Sequence, residues 1–374
     1  MQIVTTSRQV RKTFPRYIEH FVSSFLAFNQ TVAYATALRD VFHLKNVDTV
    51  TSDDVFYSIA MHSVESKTDP YYHFMPYFKA FTNEDLLNNP YYRDIKLKAC
   101  VYADFKIDLE TYKKGSLFQW DDDIWGISDG LEIRIPCIGY WKDEPLPNYT
   151  LKDKNNTPWM SITFNEIYSM EQPVSEAKGN VLTLGCGLGY YAYMVAIKPE
   201  VDCVTIVENN ESVIELFKQQ ILPQFGQFKD KVSIIQADVF DYMPTVVQGT
   251  YDYCFADIWS GALDSKTYYS LRKLCGDNYK GMRMSYWIES SFVATLVLFV
   301  RAIIALEYLK LEKVKLREAR SVIEQLLDSD KYTFAIANNI LNDVVIRTMD
   351  DIDFYWKHEN VESFFFKNAS NLIP

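Results

Sequence analysis

Short apolar runs alternate with helix-like stretches through the middle of the chain. Segments such as 212–220 and 266–274 have helical spacing, and the runs between such segments have the length and composition of buried strands. Strands that alternate with helices predict a parallel sheet with helices on both faces. The strand-like runs are residues 181–184, 203–207, 232–235, 253–256 and 284–288.

The region before residue 100 is predicted to be mainly helical. Phe21, Phe25 and Phe28 recur at helical spacing, so they predict one apolar helix face. The triplet that begins at Ser52, Ser-Asp-Asp, is typical of a helix start.

From residue 100 to about residue 141 the pattern becomes extended. The segments 101–107 and 131–135 alternate apolar and polar positions, which is typical of strands with one buried face. Residues 142–158 are rich in Pro, Asn, Asp and Lys, and this composition predicts a linker.

The end of the chain is predicted to be helical. Residues 292–306 are apolar except for Arg301 near the middle. A bilayer crossing needs about 20 apolar residues, and a central arginine is costly in lipid. We therefore expect a buried helix rather than a membrane span, and this segment could pack inside one chain or across a homodimer. The whole pattern predicts a helical region (1–99), a small β element with linker (100–172), a cofactor-binding domain (173–290) and a helical extension (291–374).

Composition and charge argue against several classes of function. The net charge is −11, and no block rich in Lys or Arg stands out, so the basic footprint of a nucleic-acid-binding protein is lacking. The six cysteines form no CxxC pair and lie near no spaced histidine, so neither a metal site nor a redox dithiol is predicted. The first residues do not resemble a secretory leader, which predicts a cytoplasmic protein.

A glycine-rich turn follows the first apolar run of the alternating unit. Gly185, Gly187 and Gly189 are each separated by one residue, and a helix-like segment follows them. A buried strand that leads into such a turn lets the backbone approach a nucleotide-like ligand. The turn therefore predicts a bound cofactor.

Three carboxylates come at equivalent places in the same unit. Glu208 ends the second run, Asp238 follows the third, and Asp257 ends the fourth. Ligands of open α/β sheets bind outside the carboxyl ends of the strands, so these acids and the turn should face one crevice. An acid about 20 residues after a glycine turn can accept hydrogen bonds from ribose hydroxyls. A dinucleotide fingerprint needs G-x-G-x-x-G, but Tyr190 stands at the third glycine position.

Together these features resemble the class I S-adenosylmethionine-dependent methyltransferases over residues 181–289. Residues 181–189 resemble the first motif of that family, 204–208 its second-strand acid, 236–239 its adenine segment and 251–259 its fourth-strand motif. The resemblance implies an α/β fold with a doubly wound Rossmann-like methyltransferase sheet, and it implies S-adenosylmethionine as the cofactor.

The resemblance also implies a role for each matching residue. The glycines would let the backbone pass close to the methionine part and the ribose, Glu208 would hold the ribose hydroxyls, and Asp238 and Val239 would meet the adenine. Asp257 would lie near the sulfonium and is the best-placed base if the acceptor must lose a proton. The implied cofactor-binding residues are Gly185, Cys186, Gly187, Leu188, Gly189, Glu208, Asn209, Asp238, Val239 and Asp257.

Some positions leave alternatives open. Tyr190, Tyr191 and Trp259 could form walls beside the sulfonium, or they could be ordinary packing residues. Thr183 stands where many members of the family have an acid two residues before the first glycine, and the spermidine synthase branch also lacks that acid. No clear sixth or seventh strand follows Ile288, so helices are expected in their place.

The sequence therefore predicts an enzyme that transfers a methyl group from S-adenosylmethionine to a small-molecule acceptor. The alternatives are an aminopropyltransferase that uses decarboxylated S-adenosylmethionine, a nicotinamide-dependent oxidoreductase, and a non-catalytic module that binds a partner protein. Neither a nucleic acid nor a membrane is expected as a partner.

Overall fold

The computed structural model describes residues 1–4, 7–37, 77–262, 264–312 and 316–374. The predicted helix start at Ser52 lies outside these residues. We number the described elements in chain order. The strands are β1 (Gln2–Ile3), β2 (Tyr77–Phe81), β3 (Cys100–Tyr102), β4 (Phe105–Tyr112), β5 (Leu117–Ser128), β6 (Leu131–Trp141), β7 (Leu146–Asp153), β8 (Pro158–Ser161), β9 (Gly179–Leu184), β10 (Val201–Glu208), β11 (Val232–Gln236), β12 (Tyr253–Ala256), β13 (Asn278–Tyr279), β14 (Met282–Tyr286) and β15 (Val345–Ile346).

The helices occupy both ends of the chain and alternate with the strands in its middle. A π-helical turn and 3₁₀ turns extend α6 as far as Lys231. The α-helices are α1 (Arg8–Ala37), α2 (Asn83–Leu87), α3 (Pro90–Asp94), α4 (Phe164–Glu176), α5 (Tyr190–Ala196), α6 (Glu211–Leu216), α7 (Val239–Thr245), α8 (Ser265–Cys275), α9 (Glu289–Leu311), α10 (Arg317–Ser329), α11 (Lys331–Ile340), α12 (Met349–Trp356) and α13 (His358–Leu372).

The central sheet has six strands in the order β11-β10-β9-β12-β14-β13. Five strands are parallel, and β13 pairs antiparallel with β14. The chain winds outward from β9 in both directions, so the order reverses between β9 and β12, where an open α/β sheet forms its ligand crevice. This confirms the predicted α/β, doubly wound, Rossmann-like fold.

Alternate residues of the central strands face two different cores. In β9, Val181 packs into the core beneath α4 to α6, whereas Leu182 and Leu184 pack into the core that contains α8 and α9. All three are fully buried. Burial on both faces is why the parallel strands appear in the sequence as continuous apolar runs.

The predicted strand at 284–288 is displaced in the structure. The strand is Met282–Tyr286, and α9 begins at Glu289. Between them Ile288 has a left-handed backbone with φ +48°, which ends the strand and starts the helix. As expected, helices follow this strand. Among the described residues after Ile288, the strand β15 is two residues long and pairs with β1.

The predicted linker at 142–158 is wrong. Residues 146–153 form β7, which pairs antiparallel with β4 along its whole length, and β8 pairs with β7. Tyr149 and Leu151 on β7 are buried. Pairing with a distant strand thus overrides the local Pro and Asn content. β7 and β8 belong to the sheet β3-β4-β7-β8, which lies beside a second sheet, β2-β6-β5.

The predicted helical region before residue 100 is helical in part. Helix α1 carries Phe21 on its buried face and packs on β5 and β6. However, Tyr77–Phe81 is a strand, because it pairs in parallel with β6. Helix α4 also crosses the predicted boundary at residue 172, so the β element and the central sheet share this helix.

Helix α9 is long and apolar enough to cross a membrane by length and composition, yet 78% of its most apolar window is buried inside the protein. It is a core helix, as predicted for residues 292–306. Arg301 is buried in it, and its Nη2 donates to Glu132 Oε2 of β6 at 2.8 Å. This ion pair connects the C-terminal helices to the β element.

Candidate functional site

A cavity of about 520 Å³ opens at the carboxyl ends of β9 to β12. The loops of the central sheet form its floor, and the β7–β8 hairpin forms part of its wall. The residues that line it are Asp153, Thr157, Pro158, Trp159, Met160, Met170, Thr183, Gly185, Cys186, Gly187, Tyr190, Tyr191, Val207, Glu208, Asn209, Asp238, Val239, Phe240, Phe255, Asp257, Ile258, Trp259, Ser260, Asp264 and Thr267.

The glycine turn contributes to the cavity through its first half. Gly185 has φ +100°, and a Cβ there would lie 2.1 Å from the backbone oxygen of Asp257, so only glycine fits between β9 and β12. Gly189 has φ +70° and supports packing: its Cβ would lie 2.4 Å from Phe217 Cε2. Gly189 and the fully buried Leu188 lie outside the lining.

Most backbone N–H groups of the turn already have partners. Gly185 N donates to Val207 O at 2.8 Å, and Gly189 N donates to Cys186 O at 2.9 Å. Cys186 N donates to the carboxylate of Glu208 at 3.1 Å. The turn therefore differs from an anion cradle, in which consecutive free N–H groups point at a phosphate.

Met160 of the β7–β8 hairpin sits directly on the turn. Its Sδ accepts a hydrogen bond from Leu188 N at 2.7 Å, and a Cβ at Gly187 would lie only 2.0 Å from that sulfur. The hairpin and the glycine turn therefore close one end of the cavity together.

Glu208 is held rigidly at the end of β10. Its side chain is buried, Oε2 accepts from Cys186 N at 3.1 Å, and Oε1 accepts from Asn210 N at 2.9 Å. Burial raises the pKa of Glu208, although these backbone hydrogen bonds lower it in part. A carboxylate can accept about four hydrogen bonds, so the backbone donors, which also include Asn209 N–H, leave Glu208 able to accept one from a ligand.

The next predicted residues lie beside Glu208 along the rim. Asn209 and Asp238 are exposed, whereas Val239 is buried. Asp238 begins α7, and its Oδ1 accepts from Phe240 N at 2.8 Å. The structure therefore brings Glu208, Asn209, Asp238 and Val239 together on one side of the cavity, at the ends of β10 and β11.

Asp257 lies on the other side, at the end of β12. It is half-buried, and among the described residues no group donates a hydrogen bond to its carboxylate. Burial raises the pKa of Asp257 well above its usual range, and the negative charges of Glu166 and Glu208 raise it further. Its carboxylate is thus close to two others and has no hydrogen-bond donor among the described residues.

Glu166 on α4 is the nearby acid that the sequence analysis missed. Its Oε1 accepts from Ser161 N at 3.1 Å and from Ser161 Oγ at 2.9 Å. Burial raises the pKa of Glu166 to about 7, although these bonds lower it in part. Its local pattern, Thr163-x-x-Glu166, is typical of a helix cap and would not have revealed a site.

Tyr190, Tyr191 and Trp259 all line the cavity, and each also packs against other residues of the protein. Tyr190 OH accepts from Asn89 Nδ2 at 2.8 Å. Tyr191 stacks on Phe255 with ring centroids 4.2 Å apart. Trp259 is only 4% exposed, and its Nε1 has no hydrogen-bond partner in the described structure.

The charge of the lining has one sign. Its charged side chains are five carboxylates: those of Asp153, Glu208, Asp238, Asp257 and Asp264. Among the residues that the structure describes, no Lys, Arg or His lines the cavity. The site is therefore suited to ligands that carry positive charge.

Comparisons with known proteins give fold likeness only. No protein-family model and no curated protein sequence matches the chain. Among solved structures, spermidine synthase from Thermotoga maritima is similar with a TM-score of 0.29 and 15% identity, over 53% of this chain and 70% of that one. A spermidine synthase in complex with the transition-state analogue AdoDATO gives a TM-score of 0.28 and 15% identity, over 51% of this chain and 65% of that one.

A precorrin-8w decarboxylase from Methanobacterium thermoautotrophicum is also similar. Its TM-score is 0.26 and its identity is 17%, over 36% of this chain and 69% of that one. The fold is established by the strand order of the central sheet, which does not depend on these distant likenesses. It is a Rossmann-like α/β fold.

Proposed function

We propose that the protein is a transferase that binds S-adenosylmethionine and transfers its methyl group to a small-molecule acceptor. The observation that carries this proposal is the convergence of Glu208, Asp238 and Asp257 on one cavity below a glycine turn. The volume of about 520 Å³ is within the range of roughly 300–1,000 Å³ that is typical of small-molecule sites.

The residues present fit a sulfonium nucleoside. Glu208 can still accept a hydrogen bond beyond those from its backbone partners, which suits a ribose hydroxyl. Asp238 and the buried Val239 are next along the rim, where a polar group and an apolar surface suit an adenine. The carboxylates and aromatic rings of the lining suit the positive sulfonium. Cys186, Gly187 and Asn209 would complete the cofactor side, and Leu188 and Gly189 would support it from behind.

When bound, the cofactor supplies an electrophilic methyl group. The protein contributes mainly by holding the acceptor atom in line with that group and close to it, which can supply several kcal/mol of the barrier. Asp257 is the candidate base, because its carboxylate has no other described partner and its raised pKa makes it a better proton acceptor. The β7–β8 hairpin would exclude water from the site.

The geometry of the turn favours this function over a nicotinamide-dependent one. A dinucleotide needs backbone N–H groups for its pyrophosphate. In this turn Gly185, Cys186, Leu188 and Gly189 already donate to protein acceptors. An uncharged ribose and adenine next to Glu208 require no such donors.

Aminopropyl transfer from decarboxylated S-adenosylmethionine is the second candidate. It is favoured by the lack of a basic side chain in the described lining, because a cofactor carboxylate would find no cation there. Thr183 Oγ1 donates to Gly185 O at 3.4 Å and gives no acid for the cofactor's amino group. A competition experiment between the two forms of the cofactor would decide which one is preferred.

Calorimetric titration with S-adenosylmethionine and S-adenosylhomocysteine tests the proposed function. We expect both to bind the wild-type protein, and we expect Glu208→Ala to weaken binding by about tenfold or more, because the charge-assisted hydrogen bond to the ribose is lost. Glu211→Ala is the control, because it removes a nearby exposed acid outside the lining. This variant should bind both ligands as tightly as the wild type does. No binding of either ligand to the folded wild-type protein would refute the proposal. A cytoplasmic location and a homodimer stay predictions from the sequence.

A further inference from the structure

The cavity has two chemically different sides. Glu208, Asn209 and Asp238 lie at the ends of β10 and β11, on the side proposed for the nucleoside. The connection from β12 to α8 forms the opposite side and contributes Asp257 and Asp264, together with Trp259, to the lining. This second side has no part in holding ribose or adenine, so it is available for the acceptor.

The carboxylates of this second side are poorly satisfied by the protein. Asp257 accepts no hydrogen bond from the described residues, and Asp264 accepts one, from Thr267 Oγ1 at 2.7 Å. The acids on the nucleoside side are held by backbone N–H groups instead. A carboxylate removed from water without a partner is costly, and a ligand that donates hydrogen bonds would remove that cost.

The charge around Asp257 indicates which kind of ligand this is. Glu166 and Glu208 are close enough to raise the pKa of Asp257 by repulsion, and no described lysine, arginine or histidine lines the cavity to offset them. Crowded carboxylates are stabilised when a cation binds between them. One sulfonium would provide a single positive charge, whereas five carboxylates line the cavity.

The apolar surface on this side agrees with a cationic ligand. Trp259 and the stacked pair Tyr191–Phe255 line the cavity beside Asp257. Aromatic rings attract ammonium groups and also cover the carbon chain that carries them.

We propose that the acceptor is an amine, which binds as an ammonium ion to Asp257 and Asp264 on the β12–α8 side of the cavity. This inference rests on the proposed transferase function and adds to it the chemical class of the acceptor. It also assigns to Asp264 a role in binding the acceptor.

The transfer step balances with the groups at hand. The ammonium nitrogen gives a proton to the Asp257 carboxylate and so recovers its lone pair. That lone pair forms the new nitrogen–carbon bond as the carbon–sulfur bond breaks, and the bonding electrons leave with the sulfur, which becomes neutral. The methylated nitrogen carries the positive charge, and Asp257 returns its proton to solvent. No oxidant or further reactant is needed.

Three small ligands with the same number of carbon atoms test the inference on the wild-type protein. Butylamine, butanol and butyrate are titrated in turn into the protein with saturating S-adenosylhomocysteine, and binding is followed by NMR. We expect the amine to bind at least about tenfold more tightly than the alcohol, because it alone can form charge-assisted hydrogen bonds to the acids. Butyrate should not bind.

A variant locates the site of binding. Asp264→Asn should weaken the binding of butylamine by about tenfold but leave the affinities for butanol and S-adenosylhomocysteine unchanged. The matched control is Asp241→Asn, which changes an exposed acid of α7 outside the lining and should alter nothing. Failure of Asp264→Asn to fold would not affect the wild-type comparison of the three ligands.

The outcomes separate this inference from the proposed function. If S-adenosylhomocysteine binds but butanol binds as tightly as butylamine, the amine inference is wrong and the transferase proposal stands. If S-adenosylhomocysteine does not bind, the transferase proposal fails. In that case the three ligands are titrated into the protein without S-adenosylhomocysteine, to test whether the β12–α8 side binds a cation. Equal affinities for butylamine and butanol would show that it does not.

Discussion

Replacing Glu166 by Gln should stabilise the protein at alkaline pH and leave it unchanged at acidic pH. Glu166 lies on α4 near Asp257, and burial raises its pKa to about 7 from the ordinary value of 4.5. Gln has the same shape and can still accept both hydrogen bonds from Ser161. The substitution therefore removes only the ionisation.

The sign and size of the effect follow from this raised pKa. Between pH 4.5 and 7 the unfolded chain has lost the proton while the folded protein retains it, so the stability of the wild type falls as the pH rises through this range. The shift from 4.5 to about 7 corresponds to about 3 kcal/mol at 1.36 kcal/mol for each pH unit. Because water reaches the half-buried side chain in part, we expect Gln to add about 1.5–3 kcal/mol above pH 8.

Urea unfolding followed by tryptophan fluorescence would measure this effect. The free energy of unfolding of Glu166→Gln and wild type should agree within about 0.5 kcal/mol at pH 4 and differ by about 1.5–3 kcal/mol at pH 8.5. Glu144→Gln changes an exposed acid and is the control, with no difference at either pH. A Glu166→Gln effect of equal size at both values of pH would refute the reasoning, because it could not arise from ionisation.

Three further substitutions test other parts of the structure. Gly189→Ala should cost about 1–3 kcal/mol in urea unfolding, because the residue has φ +70° and its Cβ would lie 2.4 Å from Phe217; unchanged stability would contradict this packing. Arg301→Ala should cost about 3–5 kcal/mol in urea unfolding, because Glu132 loses its guanidinium partner and keeps only His358; unchanged stability would contradict this. Met160→Ala frees the Leu188 N–H for the carboxylate of S-adenosylhomocysteine, a group that 5′-methylthioadenosine lacks. The affinity for S-adenosylhomocysteine should therefore rise about fivefold relative to that for 5′-methylthioadenosine. Equal changes in the two affinities, measured by calorimetry, would contradict this.

The central sheet could be predicted because its signals are local. Residues 181–184 and 253–256 are apolar without interruption, as strands buried on both faces must be, and both runs lie in observed strands. Strands β2 and β7 could not be predicted in this way. Each owes its conformation to pairing with a strand far along the chain, β6 and β4 respectively, which no local pattern records.

The residues of the candidate site also fall into two groups, those that the sequence could predict and those that it could not. Glu208, Asp238 and Asp257 could be predicted because each lies at the carboxyl end of a strand or within two residues of it, so strand position alone places it at the crevice. Trp159 and Met160 directly follow the segment predicted as a linker and could not be predicted, because they reach the cavity only through the pairing of β8 with β7. Their approach depends on the packing of the hairpin against the sheet.

The two sides of the cavity, for the nucleoside and for the acceptor, are built from different parts of the chain. The nucleoside side is built from one continuous stretch, β9 to α7, so its chemistry follows from a few local rules. The opposite side lies between β12 and α8, and Asp257 on this side is repelled by Glu166 of α4 as well as by Glu208. A change in α4 can therefore alter the charge around Asp257 while the glycine turn and Glu208 stay intact. For this reason the charge of the acceptor is better inferred from the assembled cavity than from the motif that predicts the cofactor.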